Sequence, residues 1–129
     1  MHRGCTQLSR RAKHPRAGHG TIRLERLIAG SIIATYISLV QFTDKGIQAA
    51  KQTTQRLADW AAEVQSKGVS VKQMYWTLGQ YDQVCVLEAP DDETAASVLL
   101  TADMLGNIRT QTMRAFTTSE MDKILAKLP

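Results

Sequence analysis

The sequence predicts an α+β domain with the element order β-α-β-β-α-β in residues 34–129. Three observations carry this prediction. Four segments are rich in β-branched and aromatic residues and alternate in polarity, which is typical of strands. One segment repeats apolar residues at helical spacing after a capping residue, and a second begins with acidic residues suited to the positive end of a helix. A short connection that contains glycine joins the second strand to the third, as in a hairpin.

The first strand is predicted at residues 35–42, and Thr43 with Asp44 supplies the N-cap of a helix. This helix is expected to span residues 45–67 and to end at Gly68, which can adopt the left-handed conformation. One apolar stripe of the helix should face the sheet. It consists of Ile47, Ala50, Thr54, Leu57, Ala61 and Val64.

The second half of the domain is predicted to begin with a hairpin of strands at residues 69–78 and 82–89. The acidic residues 91–93 suit the positive end of a second helix, which should run to Leu105. A fourth strand is expected at residues 108–116. A capping box at residues 117–120 then predicts a short last helix.

Together these elements predict a ferredoxin-like fold, in which a four-stranded antiparallel sheet has two covering helices and a short C-terminal helix. The helices should cover one face of the sheet. The other face is expected to carry Val71, Tyr75, Val84, Val86 and Phe116. Apolar residues on an uncovered face favour a partner, most simply a second copy of the chain. The sequence therefore predicts a homodimer.

Residues 1–33 are expected to form a basic, disordered extension of the domain at 34–129. They hold seven Arg or Lys residues against one acid, whereas residues 34–129 hold nine against eleven. A secretory signal and an organellar transit peptide are the alternatives. The apolar run after Arg26 continues into the first strand, however, and no stretch is long enough to span a bilayer.

The residue types exclude several chemistries from the domain. All three histidines lie in the extension, which removes His-based acid-base catalysis and the commonest zinc ligand. We expect no cofactor. We also expect no metal, because acidic residues at a helix start usually serve as caps. Cys85 is expected to be a buried, reduced thiol, which favours a cytoplasmic location. The slightly acidic domain is not expected to bind nucleic acid.

Several segments, taken in their order along the chain, resemble the GYD-domain family of small bacterial proteins. They are residues 34–39, 71–82, 87–93, 106–112 and 114–117, and the family's Gly-x-Tyr-Asp is Gly79, Tyr81 and Asp82. Ile33 stands where family members commonly begin with methionine, so the resemblance implies that the extension is extraneous to the domain. It also implies a dimeric α/β barrel, but no particular reaction.

Five residues are candidates for ligand binding. A cavity between sheet and helices is expected to be lined by Tyr36, Trp76, Tyr81 and Arg109, with the Asp82 carboxylate beside Tyr81. A phenol, a carboxylate and a guanidinium could bind a polar ligand. The alternative is structural: the glycine gives the turn its backbone angle, the aspartate bonds the turn's own amides, and the tyrosine packs over the hairpin.

Three functions compete on this basis. The first is a dimeric regulatory or small-molecule-binding module. The second is a cofactor-independent enzyme, such as an oxygenase or isomerase, which rests on analogy of fold. The third, RNA binding, is disfavoured because the predicted third strand has no aromatic residue on which a base could stack.

Overall fold

The computed structural model describes residues 33–129, so the predicted extension lies outside the described residues apart from Ile33. The predicted α+β class is confirmed. The elements are β1 (Ala34–Phe42), α1 (Asp44–Gln48), a 3₁₀ turn (Ala50–Gln52), α2 (Thr53–Gln65), β2 (Ser70–Trp76), β3 (Gln83–Ala89), α3 (Asp92–Met104), β4 (Ile108–Ala115) and α4 (Thr118–Leu125).

The four strands form one antiparallel sheet in the order β2-β3-β1-β4. On the central strand β1, Tyr36 lies opposite Leu87 of β3 and Arg114 of β4. Burial alternates along β1 and β3, because successive side chains point to opposite faces of the sheet. The predicted four-stranded antiparallel sheet, with helices on one face, is therefore confirmed.

The hydrophobic core lies between this covered face of the sheet and helices α2 and α3. Cys85, Leu87, Val64, Val69 and Val98 are each at most 2% exposed. The burial predicted for the Cys85 thiol is confirmed, and burial raises its pKa to about 11 because the thiolate is poorly solvated there.

Three predicted helix starts are confirmed by their caps. The Thr43 hydroxyl accepts a hydrogen bond from the Gly46 amide at 3.1 Å, and the Asp91 carboxylate accepts one from the Thr94 amide at 2.7 Å. Thr117 and Glu120 exchange bonds in the predicted capping box. Each cap satisfies amides that the first helical turn leaves without a partner.

The prediction of one continuous helix over residues 45–67 is wrong. The backbone leaves helical geometry at Ala49 and passes through the 3₁₀ turn before α2 begins. Tertiary bonds favour this break: Lys45 Nζ donates to the Leu105 carbonyl at 2.9 Å, and Arg56 Nη1 donates to the Ala49 carbonyl at 2.7 Å. Because of the break, the residues of α1 do not continue the apolar side of α2. Ile47 is therefore 55% exposed, while Trp60 packs against the core.

The prediction for the uncovered face is wrong at two positions. A β-bulge between Val71 and Gln73 shifts the register of β2, so Val71 lies opposite Leu87 and packs against the core. Phe116 follows β4, and its ring lies against the guanidinium of Arg114 at 4.8 Å, on the covered side. Tyr75, Val84 and Val86 do lie on the uncovered face.

Candidate functional site

A cavity opens between the covered face of the sheet and the helices. Its free space is about 630 Å³ when the part open to solvent is included. The sheet contributes Ser38, Val40, Met74, Gln83, Cys85, Ile108 and Thr110. Helix α2 contributes Thr53, Arg56, Leu57 and Trp60, and the segment around the end of α3 contributes Leu99, Ala102, Leu105 and Asn107. Most of these side chains are apolar, as is usual for small-molecule pockets.

Thr53 accepts two hydrogen bonds at the wall of this cavity. Its hydroxyl oxygen accepts a hydrogen bond from Trp76 Nε1 at 3.1 Å and another from Gln83 Nε2 at 2.9 Å. Because a hydroxyl also carries one proton, Thr53 keeps a donor of its own. On the neighbouring strands, the hydroxyls of Ser38 and Thr112 share a hydrogen bond of 2.9 Å.

Arg56 places a positive charge in the cavity wall. Its Nη1 donates to the Ala49 carbonyl, whereas its Nη2 is buried and has no acceptor among the described residues. On α3, Oδ2 of Asp103 accepts a bond from the Thr110 hydroxyl at 3.1 Å, and its Oδ1 is likewise buried without a donor in the described part of the chain. A buried polar atom without a partner is costly, which marks both groups as places where a ligand or water fits.

The five predicted ligand-binding residues do not line this cavity together. Tyr36 and Trp76 lie on the covered side of the sheet, and Trp76 reaches the cavity only through its bond to Thr53. Arg109 lies opposite Gln41 on the uncovered face, and Tyr81 donates to Gln111 Oε1 at 2.9 Å on that same face. Asp82 lies at the end of β1 beside them.

The Gly-x-Tyr-Asp segment fastens the β2–β3 hairpin to β1. Asp82 Oδ2 accepts a hydrogen bond from the Phe42 amide at 2.7 Å, and the Asp82 amide donates to the Val40 carbonyl at 2.8 Å. Gly79 has a φ of +110°, which L side chains rarely adopt. The geometry thus supports a structural role, although the aspartate bonds an amide of β1 rather than the turn's own amides.

A second polar group surrounds Tyr36 near the other end of β1. The Tyr36 hydroxyl donates to Asp92 Oδ1, and the Arg114 guanidinium lies 5.7 Å from its ring. Burial, and then the bond to Asp92, raise the pKa of Tyr36 to about 12. Arg114 also pairs with Glu120 at 3.3 Å. Partial burial acts to raise the pKa of Glu120, but hydrogen bonds from Thr117 and Arg114 outweigh it and lower the pKa.

The uncovered face of the sheet presents an apolar surface. Tyr75 is 58% exposed and Met113 is 44% exposed, while Ile37, Leu39, Val84 and Val86 are half-buried beside them. Helix α4 adds a second apolar surface, formed by exposed side chains of Met121, Leu125 and Leu128. Surfaces of this kind mark sites of protein association.

Within residues 33–129, no group of three His, Cys, Asp or Glu side chains is placed to hold a metal ion. Over the same residues, no helix has the length and apolar composition needed to cross a membrane.

The cavity residues Thr53, Arg56 and Gln83 were not among the sequence candidates. Thr53 and Arg56 are three residues apart, and so are Leu57 and Trp60, which is the spacing of one helix face. A stripe drawn through Thr53, Arg56, Leu57, Trp60 and Val64 would have placed Arg56 in the wall. A stripe that starts at Ile47 does not show this pattern, because the break at Ala49 separates α1 from α2.

The geometry defines a class of protein: a small α+β domain with a helix-covered cavity and an apolar open sheet face. The chain belongs to the GYD domain family, whose sequence model matches residues 36–125. It is similar to a protein of Thermus thermophilus that is named "Glutamine synthetase and cystathionine beta-lyase binding protein". The two are 32% identical over 88 residues, covering 67% of this chain and 93% of the relative. No solved structure matches the chain significantly.

Proposed function

We propose that this protein is a homodimeric regulatory module that binds a partner enzyme. The observation that carries the proposal is the relative from Thermus thermophilus, whose name describes binding to two enzymes and which aligns with this chain over 93% of its length. Enzymes of the same kinds, a glutamine synthetase and a cystathionine β-lyase, are therefore the proposed partners here.

The uncovered sheet face is the proposed dimer surface. Tyr75 and Met113 expose a large part of their apolar side chains there. Packing two such faces together would remove this surface from water, at about 25 cal/mol for each Å² of apolar area. The result would be the two-chain α/β barrel that the sequence resemblance implies.

The apolar side of helix α4 is the surface proposed for the partner enzyme. Its exposed residues Met121 and Leu125 are four positions apart, so they lie on one side of the helix. Leu128, which is also exposed, follows three residues after the helix ends. The capping box and the Arg114–Glu120 ion pair hold the start of the helix against the domain. The surface is thereby presented in a defined orientation.

The predicted ligand-binding residues enter the proposal in two groups. Tyr81, Asp82 and Arg109 lie at one end of the uncovered face, where they are proposed to contact the second copy. Tyr36 and Trp76 lie on the covered side, where a small molecule is the proposed regulator. A cytoplasmic location is part of the proposal, because the free Cys85 thiol stays reduced in that compartment.

The directions of the shifted pKa values favour binding over catalysis. Those of Tyr36 and Cys85 are raised, and those of Asp91 and Glu120 are lowered. Hydrogen bonds from the backbone and side chain of Thr94 lower the Asp91 pKa. All four groups thus keep their ordinary protonation state at neutral pH, whereas a general acid or base works best with a pKa near the operating pH.

The dimer is tested by the mass in solution, measured by light scattering at micromolar protein concentration. Wild type should have the mass of two chains, and Met113→Glu should have the mass of one, because a charge cannot be buried unpaired in the seam. Leu100→Glu is the matched control, since Leu100 is also exposed but lies on helix α3. A single-chain mass for wild type would contradict the homodimer.

Partner binding is tested separately with the full chain immobilised for surface plasmon resonance. Glutamine synthetase and cystathionine β-lyase from the same organism are passed over the surface. Binding of at least one enzyme is expected, and Leu125→Glu should weaken it while leaving the two-chain mass unchanged. The proposal is overturned if neither enzyme binds the folded dimer.

A further inference from the structure

The buried Nη2 of Arg56 is the strongest sign of a ligand in the cavity. Nη1 of the same guanidinium is held by the Ala49 carbonyl at 2.7 Å, which fixes the direction of the group, and Nη2 is left without an acceptor among residues 33–129. A charged donor that is hidden from water and unpaired is unfavourable. An acceptor that enters the cavity would relieve this cost.

Thr53 supplies a second donor close to Arg56. The two residues are three positions apart on α2 and both line the cavity. Because the Thr53 oxygen accepts from both Trp76 and Gln83, its own proton remains available to another acceptor. A group with two oxygen atoms matches a guanidinium nitrogen and a neighbouring hydroxyl.

The other side chains of the cavity wall determine which kind of ligand body fits beside the polar groups. Apolar side chains surround the polar corner on the sheet side and on the helix side: Val40, Leu57, Met74, Leu99 and Ile108. Such a wall favours an aliphatic or aromatic body over a sugar or a nucleotide. A single guanidinium also balances one negative charge, whereas a doubly charged phosphate would leave a charge buried without compensation.

We propose that this cavity binds a small carboxylate with an apolar body, held at its oxygen atoms by Arg56 Nη2 and the Thr53 hydroxyl. A ligand there would give the regulatory module its signal, and in that role the site rests on the proposed function. The carboxylate could belong to a free aliphatic acid or to an apolar amino acid.

The test uses 4-methylpentanoate and leucine as probes on the full chain, followed by the amide signals of a ¹H–¹⁵N NMR spectrum. The acid is expected to shift signals of cavity residues and to saturate by low-millimolar concentration. The neutral alcohol 4-methylpentan-1-ol, which has the same body, should bind at least about tenfold more weakly, because it lacks the charge. Binding of leucine as tight as that of 4-methylpentanoate would identify an apolar amino acid as the source of the carboxylate, and much weaker binding would identify a free aliphatic acid.

The variant Arg56→Met keeps the aliphatic stem and should weaken binding of 4-methylpentanoate by roughly ten- to a hundredfold. Lys67→Met removes an exposed positive charge after α2 and should leave binding unchanged. If Arg56→Met does not fold, Ala102→Leu is the second variant. It fills the cavity from α3 and should abolish binding while circular dichroism shows an intact domain.

Three results would overturn the site. They are equal binding of acid and alcohol, wild-type affinity in Arg56→Met, and loss of binding in Arg109→Met alone, which would return the ligand to the uncovered face. A fourth result, the absence of saturation by either probe, would overturn it as well. Since the enzyme-binding measurement is made without these probes, a failure of the site and a failure of the proposed function give different results.

Discussion

Oδ2 of Asp82 lies 2.7 Å from the backbone nitrogen of Phe42 and accepts its hydrogen bond. Phe42 is the last residue of β1, so the carboxylate caps a strand end that would otherwise expose an amide. The neighbouring bond from the Asp82 amide to Val40 fastens the same two segments by their backbones. The aspartate of the family motif therefore acts at the junction of hairpin and central strand.

Replacing Asp82 by alanine should lower the free energy of unfolding by about 1–3 kcal/mol, because the part-buried Phe42 amide loses a charged acceptor. Asp82→Asn keeps an acceptor oxygen and should cost less. Urea titration measures both values, and Asp122→Ala on the exposed side of α4 is the control. Equal stabilities for Asp82→Ala and Asp122→Ala would contradict the role of the bond.

Gly46→Ala should be among the most destabilising changes in the domain. A Cβ at this position would lie 1.8 Å from the carbonyl oxygen of Asn107, which is backbone and cannot rotate away. Overpacking of this kind typically costs about 1–3 kcal/mol and can cost more. Thermal unfolding should show a clear loss for Gly46→Ala and almost none for Gln48→Ala in the same short helix. A near-neutral Gly46→Ala would show that α1 does not approach Asn107 as described.

Alkaline pH should destabilise the domain in part through Tyr36. Its folded pKa of about 12 exceeds the ordinary value of 10.0, so the unfolded chain loses the phenolic proton first as pH rises. The stability contributed by the protonated phenol is complete below pH 10 and is lost between pH 10 and 12, by about 2–3 kcal/mol. The difference in unfolding free energy between wild type and Tyr36→Phe should fall across this window. A constant difference would contradict the raised pKa.

Glu120 should act in the opposite direction at acid pH. Its folded pKa is lowered, so the stability that its charge contributes is present above the ordinary value of 4.5 and is lost as pH falls through the folded value. Glu120→Gln should therefore be less stable than wild type at neutral pH and equal to it in strong acid. Denaturant titrations at several pH values between neutrality and strong acid measure this convergence. A difference that persists in acid would assign the effect to packing of the side chain.

Periodicity and capping residues were sufficient to predict the element order, because these signals are local. The break at Ala49 and the bulge beside Val71 were missed, since bonds from distant segments and the pairing register set them. The same break hides Arg56 from the sequence pattern, because the inward direction of its side chain depends on where α2 begins. The place of Arg109 at a strand end predicts a ligand contact in the cavity, but the register of β4 puts it on the uncovered face.

The bulge in β2 also affects whether a strand of another chain can pair with this edge of the sheet. Because β2 is an outer strand, its free amides and carbonyls could otherwise serve as a template for a foreign strand. The irregular spacing interrupts that template between Val71 and Gln73. Lys72, at the same position, places an ammonium group 3.9 Å from the Glu88 carboxylate. Strand-by-strand growth into fibrils is thereby discouraged at this edge.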